Sequence, residues 1–259
     1  VDDFRVLLLL AFLFYLFLGV FMNKVAIVTG GASGIGLSIA EKLLKNNYQV
    51  IISYNSSTDS ARSLLEKYEN LDIFQVDLSN SQNAQSLIDF TFSKYHKIDL
   101  LVNNAGVDLV KMINDTTFDD FDYVMNVNLY SPYFLTKLAT KHMIDAKFGN
   151  IINISSILGI KGGSCESAYA VSKAGLDGLT KSLAQELGPS NIRINSIAPG
   201  LIDTKMNNNL TTEEINNLVT DFPISRIGTP DDIADLVLYL EQAGYVTGQV
   251  IQVNGGWNI

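Results

Sequence analysis

At 259 residues, 47% hydrophobic and 17% charged, the chain can bury a large core as one sizeable α/β domain, and no linker interrupts its pattern. A formal net charge of −9, without a basic run or an aromatic-plus-basic stripe, argues against a nucleic acid as partner. The one cysteine, Cys165, allows no internal disulfide, and His96 and His142 stand too far apart in sequence to suggest a metal cluster, so a metal-free site in a reducing, cytoplasmic compartment is expected.

Val6 to Phe21, VLLLLAFLFYLFLGVF, is apolar throughout and shows neither helical amphipathicity nor strand alternation. It falls short of the ~20 residues that a helix needs to cross a bilayer. Asp2 and Asp3 and the lack of a small-x-small site before Asn23 make a poor signal peptide. Three readings stay open: a membrane anchor, an apolar extension used in association, or a stretch upstream of a true start at Met22, where MNKVAIVTGG reads naturally. Membrane contact is expected only if residues 6–21 are a real anchor. The expected division is an extension at 1–22 and one folded domain at 23–259.

From Lys24 onward, short β-branched runs alternate with longer amphipathic segments. Strands are predicted at Val25–Thr29, Val50–Tyr54, Ile73–Val76, Leu100–Asn103, Asn150–Ser155, Arg193–Ala198 and Val250–Val253. Helices are predicted between them at Ile35–Lys45, Asp59–Tyr68, Ser81–Tyr95, Phe118–Ala146, Ala168–Leu187 and Asp231–Leu240. The last is announced by Thr229 as cap, Pro230 in the first turn and two acids at the positive end. Near-continuous Val/Ile/Leu strands fit a sheet covered on both faces. The expectation is a single doubly wound α/β domain, a seven-stranded parallel sheet flanked by helices, with its ligand crevice beyond the carboxyl ends of the strands.

The chemistry-bearing residues fall at those ends. VAIVT runs into Gly30-Gly31-Ala32-Ser33-Gly34-Ile35-Gly36, where glycines permit a tight turn and let N–H groups at a helix start approach a pyrophosphate. A structural strand-to-helix turn can be glycine-rich too. Tyr169 and Lys173, four apart on a predicted helix, share one face, so their tips can converge on one small molecule. A free tyrosine is a poor base at neutral pH, and the Lys173 ammonium is expected to favour its phenolate. An isolated Tyr-x-x-x-Lys also occurs on solvated helix faces; Ser156 at a strand end and the upstream glycine turn argue for a shared site.

The T-G-x3-G-x-G spacing resembles the short-chain dehydrogenase/reductase family, and the resemblance runs from Asn23 to Trp257. Asn103-Asn104-Ala105-Gly106 is similar to the family's N-N-A-G. The resemblance implies a Rossmann-type fold and a cofactor site of Gly30, Ser33, Gly34, Ile35 and Gly36 at the pyrophosphate, and Tyr54, Asn55 and Ser56 at the ribose. It adds Asp77 and Leu78 at the adenine, Asn104, Ala105 and Gly106 on the adenosine side, and Pro199, Gly200, Ile202 and Thr204 around the nicotinamide. It also implies catalysis by Asn128, Ser156, Tyr169 and Lys173. Ser156 would stabilise the substrate oxygen, Tyr169 would exchange its proton, Lys173 would hold the nicotinamide ribose, and Asn128 would hold a water linking Lys173 to solvent. Ser156, thirteen residues before Tyr169, is expected to be the catalytic serine, with Ser155 facing the other way.

No acid stands at Tyr54-Asn55-Ser56-Ser57-Thr58 to repel a 2′-phosphate, so NADP(H) is favoured over NAD(H), although Ser33 replaces the basic residue of many NADP-preferring relatives. The pattern looks most like the 3-oxoacyl-[acyl-carrier-protein] reductases, implying a carbonyl or acyl-thioester substrate. The loop IKGGSCESA lacks their Gln and Asn, and of two basic docking positions one is Lys147 and the other is Ser190. A sugar or secondary-alcohol dehydrogenase is the alternative among enzymes, and a nucleotide-sensing regulator the alternative outside them. The resemblance also implies a homo-oligomer, tetramer or dimer. Ala170, Ala174, Gly175 and Gly178 would permit a close helix contact between copies or internal packing equally well.

Overall fold

A computed structural model of the chain describes residues 23–207 and 211–259. The apolar run at 6–21, with its three readings, lies outside them. Among the described residues no helix is long and apolar enough to cross a membrane.

Seven strands form one sheet: β1 (Val25–Thr29), β2 (Gln49–Tyr54), β3 (Leu71–Gln75), β4 (Leu100–Asn103), β5 (Gly149–Ile154), β6 (Ile192–Pro199) and β7 (Val250–Val253). Their order is β3-β2-β1-β4-β5-β6-β7, and each neighbouring pair is parallel. The expected doubly wound, Rossmann-type sheet is therefore present, and its direction of winding reverses between β1 and β4.

Helices cover both faces. Alternate β1 residues divide between two cores, since successive side chains of a strand point to opposite faces. Ala26 and Val28 pack with Ile39 and Leu43 of α1 (Gly34–Lys45), Leu64 of α2 (Thr58–Lys67) and Ile233 and Val237 of α9 (Pro230–Gln242). Val25 and Ile27 pack with Leu87 of α3 (Ala84–Tyr95), Leu135 and Met143 of α5 (Ser131–Ala146) and Leu187 of α7 (Ser167–Leu187). The Thr229 cap takes the predicted form, a reciprocal box with Asp232.

Three departures from the sequence reading matter for the site. The helix expected over Phe118–Ala146 is broken: α4 (Phe118–Met125) passes through a π turn at Asn126–Tyr130 before α5 resumes. The helix expected from Ser81 opens with a 3-10 turn, Ser81–Asn83. Two short helices, α6 (Ile157–Lys161) and α8 (Thr212–Val219), form where loops were expected.

Candidate active site

The cofactor half of the site starts where β1 and β4 diverge. Thr29 ties the two strand ends together: its Oγ1 accepts from the N–H groups of Asn104 and Ala105, both at 2.9 Å, while Asn104 Nδ2 donates to Thr29 O at 2.9 Å. Gly30 and Gly34 take φ of +63° and +52°, the left-handed region that glycine enters without a Cβ clash. Gly36 has a different task. A Cβ there would lie 2.4 Å from both Gly30 O and Asn104 Nδ2, so only glycine lets α1 press against the turn. The first N–H groups of α1 have no helical partner, and no acid occupies its first turn. A bare turn leading to a helix start with no acidic side chain suits the phosphates of a dinucleotide.

A cleft of 980 Å³ opens over this turn. Gly30, Ser33, Gly34, Ile35 and Asn104–Gly106 line one side, and Pro199, Gly200, Ile202 and Thr204 line the other. At Gly200 a Cβ would fall 2.8 Å from Asn254 Cα, which fixes glycine where the β6 exit passes the C-terminal segment.

Ser156, Tyr169 and Lys173 line the same cleft. Ser156 caps α6, its Oγ accepting from Leu158 N at 3.1 Å, which leaves its own O–H as the donor on the Tyr169 side. Ser155 also lines the cleft, beyond the end of β5 rather than within it, and its Oγ donates to Lys173 O at 3.3 Å. Lys173, 4% exposed, donates from Nζ to Ile154 O at 2.8 Å. Asn128, at 0% exposure inside the π turn, bonds both backbone groups of Val107: Oδ1 accepts from its N–H at 2.8 Å and Nδ2 donates to its carbonyl at 2.9 Å. Nδ2 also donates to Ser172 Oγ at 3.1 Å. A Cβ on Gly106 would sit 3.4 Å from both Asn128 Oδ1 and Lys173 Nζ, so these two polar groups meet over one bare patch of backbone.

The electrostatics differ from the sequence expectation. Burial pushes the Tyr169 hydroxyl above its ordinary value, a hydrogen bond with Ser156 works the other way, and the nearby carboxylates Asp108 and Glu166 raise it further. Lys173 is not what sets it. Burial brings Lys173 itself down to about 8, with Asp177 one turn on favouring its charged form. Its Nζ stands 5.6 Å from the Tyr169 ring centre. Burial therefore favours the neutral, protonated form of Tyr169.

Not every expected residue reaches the cleft. Gly36 serves the turn from behind, and Asn128 stands behind Val107 and Lys173. Tyr54, Asn55 and Ser56 at the end of β2, and Asp77 and Leu78 beyond β3, lie outside its lining. Tyr54 and Leu78 are buried, whereas Asn55, Ser56 and Asp77 are exposed at the strand ends. Asp77 Oδ1 accepts from Ser79 N at 2.8 Å. Conversely, the cleft includes residues the motifs do not name: Asp108, Val110, Glu166, Met206, Leu218 and Trp257. Asp108 lies two residues after N-N-A-G and Glu166 three residues before Tyr169, and that proximity was the signal available for them. Among the described residues no group of three or more His, Cys, Asp or Glu could hold a metal ion.

A glycine turn at the sheet's switch point and a Ser-Tyr-Lys set on one cleft wall place the chain in the short-chain dehydrogenase/reductase family, and it is an oxidoreductase. Residues 30–258 match the family described as Enoyl-(Acyl carrier protein) reductase. Among curated relatives it is 39% identical over 244 residues to the uncharacterized oxidoreductase YmfI of Bacillus subtilis, covering 92% of this chain and 100% of that protein. It is 36% identical over 237 residues to the 3-oxoacyl-[acyl-carrier-protein] reductase FabG of Buchnera aphidicola, covering 90% and 97%. A solved structure, ElxO with NADP bound, superposes with a TM-score of 0.84 at 33% identity, covering 91% of this chain and 99% of that one.

Proposed function

We propose that the chain is an NADP(H)-dependent carbonyl reductase whose first candidate substrate is a 3-oxoacyl thioester of the acyl-carrier type. The observation that carries the reading is the convergence of Ser156, Tyr169 and Lys173 on one wall of the cleft that the glycine turn floors. The bound dinucleotide would supply or accept the hydride. Gly30 to Gly36, Asn104 to Gly106, and the loop from Pro199 to Thr204 would hold it.

The side chains divide the remaining work. Ser156, with its acceptor lone pair engaged by Leu158 N, donates its O–H to the substrate oxygen. Tyr169, held as a neutral acid, gives its proton to that oxygen as charge develops. Lys173 holds the ribose hydroxyls and passes a proton to Tyr169. Asn128's amide is engaged by Val107 and Ser172, so its side chain positions the segment after Gly106 beside Lys173. Val110, Leu158, Met206, Leu218 and Trp257 supply an apolar wall that fits an acyl chain better than a sugar.

The preference for NADP(H) is supported by the absence of an acid from Tyr54 to Ser57 and by the NADP in the ElxO structure. Exposed Phe118, Tyr130 and Tyr133 along α4 to α5, with Val171 on α7, suit a homo-oligomer through these helices. Gly175 is taken by internal packing, its Cβ position lying 2.8 Å from Leu129, while Gly178 is open. A cytoplasmic location fits the unpaired Cys165. The test is to assay purified protein with NADPH and NADH against acetoacetyl thioesters, diketones and sugars. NADPH oxidation with the thioester is expected; silence across the panel favours a nucleotide-sensing protein instead.

A further inference from the structure

Two carboxylates line the cleft with no salt bridge to either among the described residues. Asp108 follows the N-N-A-G strand end by two residues, and Glu166 stands at the N-cap of α7, three residues before Tyr169. Both line the cleft beside Ser156 and Tyr169, and both are partly buried. Their positions are pinned together, because Lys111 N donates to Cys165 O at 2.7 Å and so stitches the loop after Asp108 to the residue before Glu166. Asp108 Oδ1 accepts from Leu109 N at 2.7 Å, which leaves its second oxygen for the cleft.

The other titratable and charged groups of the cleft are Tyr123, Tyr169, Lys173 and Lys205, and Lys161 stacks over the lining residue Trp257 with Nζ 3.7 Å from the ring centre. Lys173 is committed to Ile154 O. Lys111, the nearest lysine in sequence to Asp108, is paired with Asp120 at 2.7 Å. Lys111 and Lys173 are thus engaged elsewhere and Lys205 follows the loop from Pro199 to Thr204, so that among the described residues neither Asp108 nor Glu166 forms a salt bridge and two carboxylates stand beside Tyr169.

We propose that Asp108 and Glu166 act as a charge filter on the substrate half of the cleft, admitting esterified or otherwise neutral oxo compounds and turning away free oxo acids. This rests on the reading of the cleft as a hydride-transfer site. Like charges a few ångströms apart in a partly dry site repel strongly, whereas a neutral ester or thioester of the same acid carries no such cost. The apolar wall then selects for the acyl chain, and the acid pair for its being carried as an ester.

Ethyl acetoacetate and acetoacetate differ in this one charge near the reacting carbonyl. With NADPH near neutral pH, kcat/KM for acetoacetate should fall roughly 100-fold or more below that for the ethyl ester. In the Asp108→Asn/Glu166→Gln double variant, the acid-to-ester ratio of kcat/KM should rise at least about tenfold. A second measurement needs no variant. Burial raises both carboxyl pKa values, and Asp108 adds to the rise at Glu166, so the pair neutralises earlier than ordinary carboxylates as pH falls. Acetoacetate stays ionised down to about pH 5, so the wild-type ratio should climb as pH is lowered from about 8 towards that limit. Equal use of acid and ester by the wild type, or a ratio that neither the double variant nor pH moves, overturns the filter and leaves the reductase reading intact. Failure to reduce any oxo compound with either nicotinamide overturns that reading, and the filter with it.

Discussion

Replacing Lys173 with methionine tests the electrostatics of the site through folding rather than turnover. Methionine keeps most of the stem's volume and removes the ammonium. In the native chain Lys173 is 4% exposed, and burial brings it from an ordinary 10.5 to about 8, Asp177 offsetting part of the effect. Below about pH 8 the lysine is protonated in both folded and unfolded chains, and the native state carries the full cost of a buried charge. Between about 8 and 10.5 the unfolded chain binds a proton that the native one does not, so wild-type stability rises with pH from this group. At 1.36 kcal/mol per pKa unit, the wild type should gain about 3 kcal/mol on the variant between those limits. Lost packing and the unmet Ile154 carbonyl shift the comparison by a constant and drop out of the pH dependence. Urea unfolding of both proteins from about pH 6.5 to 10.5 measures it. Curves that stay parallel across that range would refute the assignment of a buried, depressed lysine.

Tyr169→Phe should abolish turnover while dinucleotide binding, followed by fluorescence titration, stays within about twofold; retained turnover would remove the proton donor from the mechanism. Because the Tyr169 hydroxyl is pushed up, alcohol oxidation, which needs the ionised form, should accelerate as pH rises above neutral while reduction does not. A flat pH profile for oxidation would contradict this. Gly36→Ala places a Cβ 2.4 Å from Gly30 O and should cost about 1–3 kcal/mol of stability by overpacking, together with a clear loss of NADPH affinity measured by calorimetry. Asn128→Leu leaves the N–H and carbonyl of Val107 without their partner, at about 1–3 kcal/mol each. Thermal unfolding of that variant checks the role of the π turn, and an unchanged midpoint would deny it.

The sheet was legible because its strands carry their own signal. Val25–Thr29, Leu100–Asn103 and Val250–Val253 form as predicted: the first two are buried along their whole length and apolar up to their last residue, and the third, at the sheet edge and only partly buried, is marked by its β-branched residues. The 118–146 region was not legible in the same way. Its residues suit one long helix, and the π turn that breaks it holds Asn128 against Val107, twenty-one residues back, a contact that no local pattern encodes. The helices α6 and α8, of 5 and 8 residues, are too short for periodicity to mark, and the caps that start them, Ser156 and Thr211, are equally at home in turns.

For the site, residue positions were legible and residue chemistry was less so. The motif spacing pointed to Ser156, Tyr169 and Lys173, which line one cleft, whereas the expected alternation of Ser155 and Ser156 does not apply because both lie beyond β5 and both line that cleft. The same spacing suggested that Lys173 lowers the Tyr169 pKa, which treats the pair as if it were in water. Burial acts on both members of the pair, and in opposite directions: it raises the phenol and lowers the amine, so each moves towards its neutral form. Sequence spacing reports which groups meet, whereas the direction of a pKa depends on how much water the fold removes. Asp108 and Glu166 illustrate the point, since each reads as an ordinary loop acid until the fold half-buries it in the cleft beside Tyr169 and raises its pKa.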